Sequence, residues 1–105
     1  MTTEAKFSIG QIVQHKLFDY RGVIFEIDPY FMLTEEWYQQ VARSRPPKNE
    51  TWYHVMVDNA SHTTYVAQQN LQASDDCQPI THPQIEELLG SYQDDHYNIP
   101  RQQLQ

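Results

Sequence analysis

Residues 52–71 read WYHVMVDNASHTTYVAQQNL, two runs of alternating side chains joined by a short polar turn. Tyr53, Val55 and Val57 share one face of the first run and Trp52, His54 and Met56 the other, because side chains alternate along a strand. In the second run Thr64 and Val66 oppose Thr63, Tyr65 and Ala67, and Asp58-Asn59-Ala60-Ser61 supplies residues suited to a turn. The pattern predicts a β-hairpin around which the rest of the chain is built. None of its residues has an obvious chemical task.

Upstream, Phe7 to Lys16 alternates around Phe7, Ile9 and Val13, with Gly10 placed for a bulge or a close backbone approach. Leu17 to Tyr20 is a short connection, and Tyr20 to Asp28 is a second strand of β-branched and aromatic residues. Pro29 ends it, since proline has no donor for a ladder. In the insertion that follows, Thr34 is an N-cap, Glu35 and Glu36 suit the positive helix end, and Trp37, Tyr38 and Val41 form an apolar stripe. A short helix over 35–42 is predicted, followed by a basic, proline-rich loop over 43–49.

Downstream of the hairpin, Ala67 to Leu71 suggests a helical turn leading into a strand over 71–73, and 74–79 is a polar linker. Thr81 and Gln84 have capping-box spacing and Ile85, Leu88, Leu89 and Tyr92 recur at helical intervals, so a C-terminal helix from Thr81 is predicted. The expected class is mainly β: a small SH3-like barrel of about five antiparallel strands, with a short helix in an insertion and a C-terminal helix. The spacing of Gly10, His15 and Gly22 ahead of an apolar strand resembles the opening of SH3-like and Tudor-like barrels. A loose N-terminus over 1–6, one domain over 7–97 and a flexible tail over 98–105 complete the expected organisation.

With 105 residues the chain can bury one modest core. Its longest apolar runs are too short to cross a bilayer, and MTTEAKFSIG lacks the apolar centre of a secretory signal, so the expected location is the cytoplasm and no membrane partner is expected. The net charge of −7 is uneven. Residues 1–48 carry six cations and six carboxylates, and residues 49–105 carry only Arg101 against eight carboxylates. A phosphate backbone would be repelled by the second half, so nucleic-acid contact would fall to Lys16, Arg21, Arg43, Arg45 and Lys48.

The search for catalytic and metal chemistry yields little. Cys77 is the single cysteine, which excludes an intrachain disulfide, and the neighbouring Asp75 and Asp76 disfavour its thiolate. The five histidines form no compact ligand set; His54 and His62 could face each other across the hairpin near Asp58, short of a zinc site. Carboxylate pairs such as Glu86-Glu87 sit at adjacent positions that do not converge on one atom. Neither a nucleophile elbow nor a phosphate-binding loop occurs. No cofactor, metal or enzymatic activity is expected. The aromatic residues, Phe31, Trp37, Trp52 and Tyr65 among them, read as core before ligand cage.

Taken together, IGQIVQH, YRGVIFEIDP, TEEW, the Arg45-Pro46-Pro47-Lys48 loop, WYHV, TTYVAQQNL and Ile80-Thr81-His82-Pro83 resemble the HspQ family, the YccV-like or hemimethylated-DNA-binding domain proteins. The similarity runs from Phe7 to Tyr97. It implies an SH3-like barrel, a bacterial heat-shock context and no catalysis, with two roles: promoting proteolysis by ATP-dependent proteases, including turnover of the replication initiator DnaA, or binding hemimethylated DNA. An acidic chain without a recognition helix is poorly suited to the major groove, which ranks the proteolytic role first. Expected partners are therefore an ATP-dependent protease or its substrate protein, and DNA in the alternative. Candidate contact residues for a protein partner are His54, Tyr65, Glu86 and Glu87. Many aromatics and an amphipathic helix on a short barrel also predict a homo-oligomer.

Overall fold

A computed structural model describes residues 5–42 and 45–99. Five antiparallel strands form one sheet: β1 (Ile12–His15), β2 (Arg21–Asp28), β3 (Trp52–Val57), β4 (Thr63–Ala67) and β5 (Leu71–Ala73), in the order β4-β3-β2-β1-β5. A helix α1 (Glu35–Val41) lies in the insertion, a single helical turn α2 (Ile85–Leu88) follows the sheet, and β6 (Tyr92–Gln93) pairs with β7 (His96–Tyr97). The mainly β class is as the sequence predicts. The barrel is not closed, because β4 and β5 end the sheet without bonding each other.

One sheet face gathers Val13, Ile24, Tyr53, Val55, Val66 and Leu71 into a single cluster. All five strands contribute, so the sheet curls around it. The opposite face is covered in two patches. At one end Met56, Val23 and Ile12 pack under Ile80, Leu89 and Tyr97 of the C-terminal segment. At the other, Trp52 and Ala67 pack under Phe31, Trp37 and Tyr38 of the insertion. This explains why β3 is apolar on both faces: each face has its own cover. His54 lies between the two patches, only partly buried.

The first strand is shorter than the alternation over 7–16 suggests. Gly10 takes φ +90, and a Cβ there would overlap the Tyr97 carbonyl oxygen. Tyr97 N donates to Gly10 O at 2.8 Å, so glycine lets the C-terminal hairpin dock against the chain just before β1. In β2 the register shifts between Ile24 and Glu26, a bulge that turns Glu26 onto the His54 face.

α1 forms as predicted, with Thr34 Oγ1 accepting from Trp37 N at 3.1 Å. Its loop is pinned by Phe31 N donating to Lys48 O (2.8 Å) and Trp52 Nε1 donating to Pro47 O (3.2 Å). Val41, expected in the buried stripe, is exposed instead, and the space above Trp52 is filled by Trp37 and Tyr38 together with Phe31 and Ala42.

The C-terminal expectation needs correcting. Thr81 does not cap a helix: its N–H donates to Asp58 Oδ1 at 2.7 Å, which holds it to the hairpin turn. His82 takes over locally, with Nδ1 accepting from Gln84 N at 3.1 Å and Nε2 beside His62 O at 3.0 Å. One turn follows and stops at Leu89, whose backbone is extended. Beyond it, Asp94 and Asp95 both take positive φ, the geometry a two-residue hairpin turn requires. The end of the predicted domain therefore contains β6 and β7, with Tyr92 in a strand and not on the helix, and Tyr97 is a core residue. Of the predicted flexible segments, residues 1–4 and 100–105 lie outside the described residues. No helix among the described residues is long and apolar enough to cross a membrane.

Candidate functional site

β3 and β4 pair with His54 opposite Tyr65 and Trp52 opposite Ala67. The bonds from Val57 N to His62 O and from Gln68 N to Thr51 O set the phase of the ladder. Thr64 and Val66 therefore exchange bonds with β3, while His54 and Tyr65 form a non-hydrogen-bonded pair, whose side chains approach more closely. Their ring centroids are 4.6 Å apart, and Tyr65 stacks on Trp52 at 5.1 Å.

Asp28, at the end of β2, anchors this pair. Its Oδ2 accepts from Tyr65 Oη at 2.7 Å and lies 3.1 Å from His54 Nε2. Tyr65 Oη in turn accepts from Met32 N at 3.0 Å, tying the insertion to the sheet. Burial, followed by the Asp28 hydrogen bond, pushes the Tyr65 phenol far above its ordinary range. Glu26 Oε2 lies 3.3 Å from the same His54 nitrogen, and Glu26, Asp28 and His54 bring one ligand atom each within 4.8 Å of one another. That is the grouping a small divalent cation would use. Asp28 Oδ2, however, is already shared by Tyr65 and His54, so the trio is satisfied as a hydrogen-bonded network. The carboxylates near His54 are thus Asp28 and Glu26, not Asp58, and Asp58 serves Arg21 and Thr81 instead.

A cleft of about 770 Å³ opens beside this network and runs along β4. One wall is Leu17 and Phe18 of the β1–β2 turn; the other is Leu33, Trp37 and Val41 of the insertion; Tyr65 contributes to its floor. His15 holds the first wall in place, its Nδ1 accepting from Leu17 N (3.0 Å) and Phe18 N (3.2 Å). Burial pushes the His15 pKa down. Leu17, Phe18 and Val41 are 57%, 67% and 53% exposed, although large apolar side chains in a monomeric domain are usually covered. Among the described residues the cleft is lined by no Asp, Glu, Lys or Arg.

The candidate cations fall into separate settings. Arg21 binds Asp58 at 3.0 Å and the carbonyls of Asp76 and Gln78, so its guanidinium holds the linker to the sheet. Lys48 pairs with Glu35 at 2.7 Å and sits 4.5 Å above the Tyr38 ring, where Arg45 also stacks at 5.8 Å. The Lys48 hydrogen bond holds the Glu35 carboxyl below its usual range. Lys16 is exposed beside the first turn, and Arg43 lies outside the described residues. Of the candidate partner contacts, the fold joins His54 to Tyr65, while Glu86 and Glu87 are exposed on α2. Asp28 and the apolar walls were not singled out from the sequence. The adjacent exposed apolar residues Leu17 and Phe18, in a turn where polar residues are usual, were the legible signal.

A small curled antiparallel sheet, capped at both ends of one face and carrying a cleft along an edge strand, defines a compact β domain. The chain belongs to the YccV-like hemimethylated DNA-binding protein family, whose model matches residues 5–96. It is also 33% identical over 101 residues to F-box only protein 21 of Homo sapiens and of Pongo abelii, and 32% identical to that of Mus musculus. The matches cover 94% of this chain and 16% of each relative, so the chain spans about a sixth of their length.

Proposed function

We propose that this chain is a non-enzymatic binding module of the cytoplasm that acts in the stress response by bringing proteins to an ATP-dependent protease, DnaA among its clients. The observation that carries this reading is the cleft: about 770 Å³, flanked by exposed apolar side chains and lined, among the described residues, by no Asp, Glu, Lys or Arg, in a protein of net charge −7. Such a surface suits polypeptide and offers nothing to a phosphate. Occurrence of a similar segment within the much longer F-box only protein 21 fits a module that serves larger assemblies. The test is the rate at which an ATP-dependent protease degrades purified DnaA with and without the chain. Faster degradation is expected, and an unchanged rate counts against the proposal.

The family description favours a second reading, binding of hemimethylated DNA. Its contacts would be Lys16, Arg21, Arg43, Arg45 and Lys48, but Arg21 and Lys48 already engage carboxylates. Binding to a hemimethylated duplex that weakens with salt and is lost on reversing Arg43 and Arg45 would establish it. Absence of binding at low salt would remove it. A homo-oligomer is proposed alongside either role, and sizing at two concentrations tests it.

A further inference from the structure

β4 is an edge strand, and the phase of its ladder turns the backbone N–H and C=O groups of Thr63 and Tyr65 away from β3, while Ala67 at the strand's end is fully buried under the insertion. No other described strand meets them. Natural domains commonly blunt such an edge with charge, proline or a covering loop. Here TTYVA carries neither charge nor proline; the insertion covers its Ala67 end, and the part from Thr63 to Tyr65 opens into the cleft.

We propose that β4 accepts an extended segment of another polypeptide as an added sixth strand of the sheet, and that the segment recognised is an uncharged, continuously apolar run of about the five-residue length of β4. This deepens the adaptor reading and rests on it for its biological setting only.

The preference for a continuous run follows from the two walls. Side chains of an added strand alternate between the faces of the sheet. On one face they meet Leu17 and Phe18, and on the other Trp37 and Val41. Both alternating sets therefore lie against apolar surface, whereas a strand with one polar face would set that face against it. Runs of this kind are normally buried in folded proteins and become accessible on unfolding. A charged residue in the run would lose water to an apolar wall, since the described lining holds no Asp, Glu, Lys or Arg to pair with it. A second copy of this chain is a poor occupant by the same criterion, because its own edge begins with Thr63 and Thr64.

The experiment is fluorescence anisotropy of a short labelled peptide, Val-Ile-Phe-Val-Ile flanked by serines, against the intact chain. Binding is expected. N-methylating alternate amides of the peptide should weaken it at least about tenfold, since the lost groups are the ladder donors. Replacing the central Phe by Asp should do the same. In the protein, Thr63→Pro removes an outward donor that β3 does not use. Phe18→Glu and Val41→Glu change exposed walls, so they remain informative if the proline variant fails to fold, and each should weaken the peptide at least about tenfold. Absence of binding, equal binding of the N-methylated peptide, displacement of the peptide by duplex DNA, or a dimer held through β4 that excludes the peptide would each overturn the proposal. Peptide binding in a chain without effect on proteolysis would uphold it and remove the adaptor reading. Proteolysis enhanced equally by wild type, Phe18→Glu and Val41→Glu would do the reverse.

Discussion

Tyr65 donates its phenolic hydrogen to Asp28 at 2.7 Å across the end of the sheet, and through this bond the edge strand, the bulged strand and the insertion are fastened at one point. Asp28 is buried, and without Tyr65 its Oδ2 would keep, among the described residues, the hydrogen bond with His54.

Replacing Tyr65 by Phe leaves the ring stack on Trp52 intact and removes only this bond and the acceptor for Met32 N. A loss of about 1–3 kcal/mol is expected, because a hydrogen bond to a charged group goes and a partly buried carboxylate is left short of a partner. Urea unfolding measures it. Combining Tyr65→Phe with Asp28→Ala should cost less than the sum of the single changes.

Trp52 is almost fully buried and its ring meets Phe31, Trp37, Tyr38 and Tyr65. Trp52→Ala should cost about 3–5 kcal/mol, since the insertion would lose the surface it covers. Trp37→Ala should cost less, because Trp37 is only partly buried, but should detach α1. Hydrogen exchange over the insertion distinguishes the two: both should raise it, while only Trp52→Ala raises it throughout the sheet.

Gly10→Ala should destabilise by more than about 1 kcal/mol, the cost of a side chain at positive φ alone, with a further loss from overlap with the Tyr97 carbonyl. Because Tyr97 belongs to the core, thermal unfolding should shift downward and exchange should rise first over β6 and β7.

Acid should loosen the first wall of the cleft. Burial lowers the His15 pKa below the ordinary imidazole value of about 6.5 in the folded chain, so the unfolded chain binds the proton first as pH falls. Stability contributed by neutral His15 is therefore complete above about pH 6.5 and is lost as the pH falls from there towards the lowered folded value. Protonation of Nδ1 would also remove the acceptor used by Leu17 N and Phe18 N. Unfolding at neutral and mildly acid pH should show this loss, and His15→Asn should flatten that part of the profile.

The Arg21–Asp58 pair joins the hairpin turn to the C-terminal segment, since Asp58 also accepts from Thr81 N. Both side chains are mostly buried, at 17% and 14% exposure. Asp58→Ala should cost about 1–3 kcal/mol and increase exchange over 80–99 before the sheet responds.

The hairpin, the second strand, the Thr34 cap and the class of fold are legible along the chain, because alternation, proline and capping residues act within a few neighbours. The sequence also carried the family resemblance, which the match over residues 5–96 bears out. It singled out His54 and Tyr65 as polar groups on a packing surface, and the register makes them a pair. What it could not supply was their connection to Asp28, 26 positions before His54, or to the Met32 amide. Those depend on a bulge and a loop fold that set long-range geometry. The C-terminal helix forms but is shorter than its spacing predicts, because the spacing of Ile85, Leu88, Leu89 and Tyr92 is local, while Thr81 and His82 are held by Asp58 and His62 on another element. The cleft, likewise, exists only where a turn at Phe18 and a helix at Val41 rise on either side of the open edge of β4. Local chemistry chose the strands; packing of distant segments decided which edge stayed open and what surrounds it.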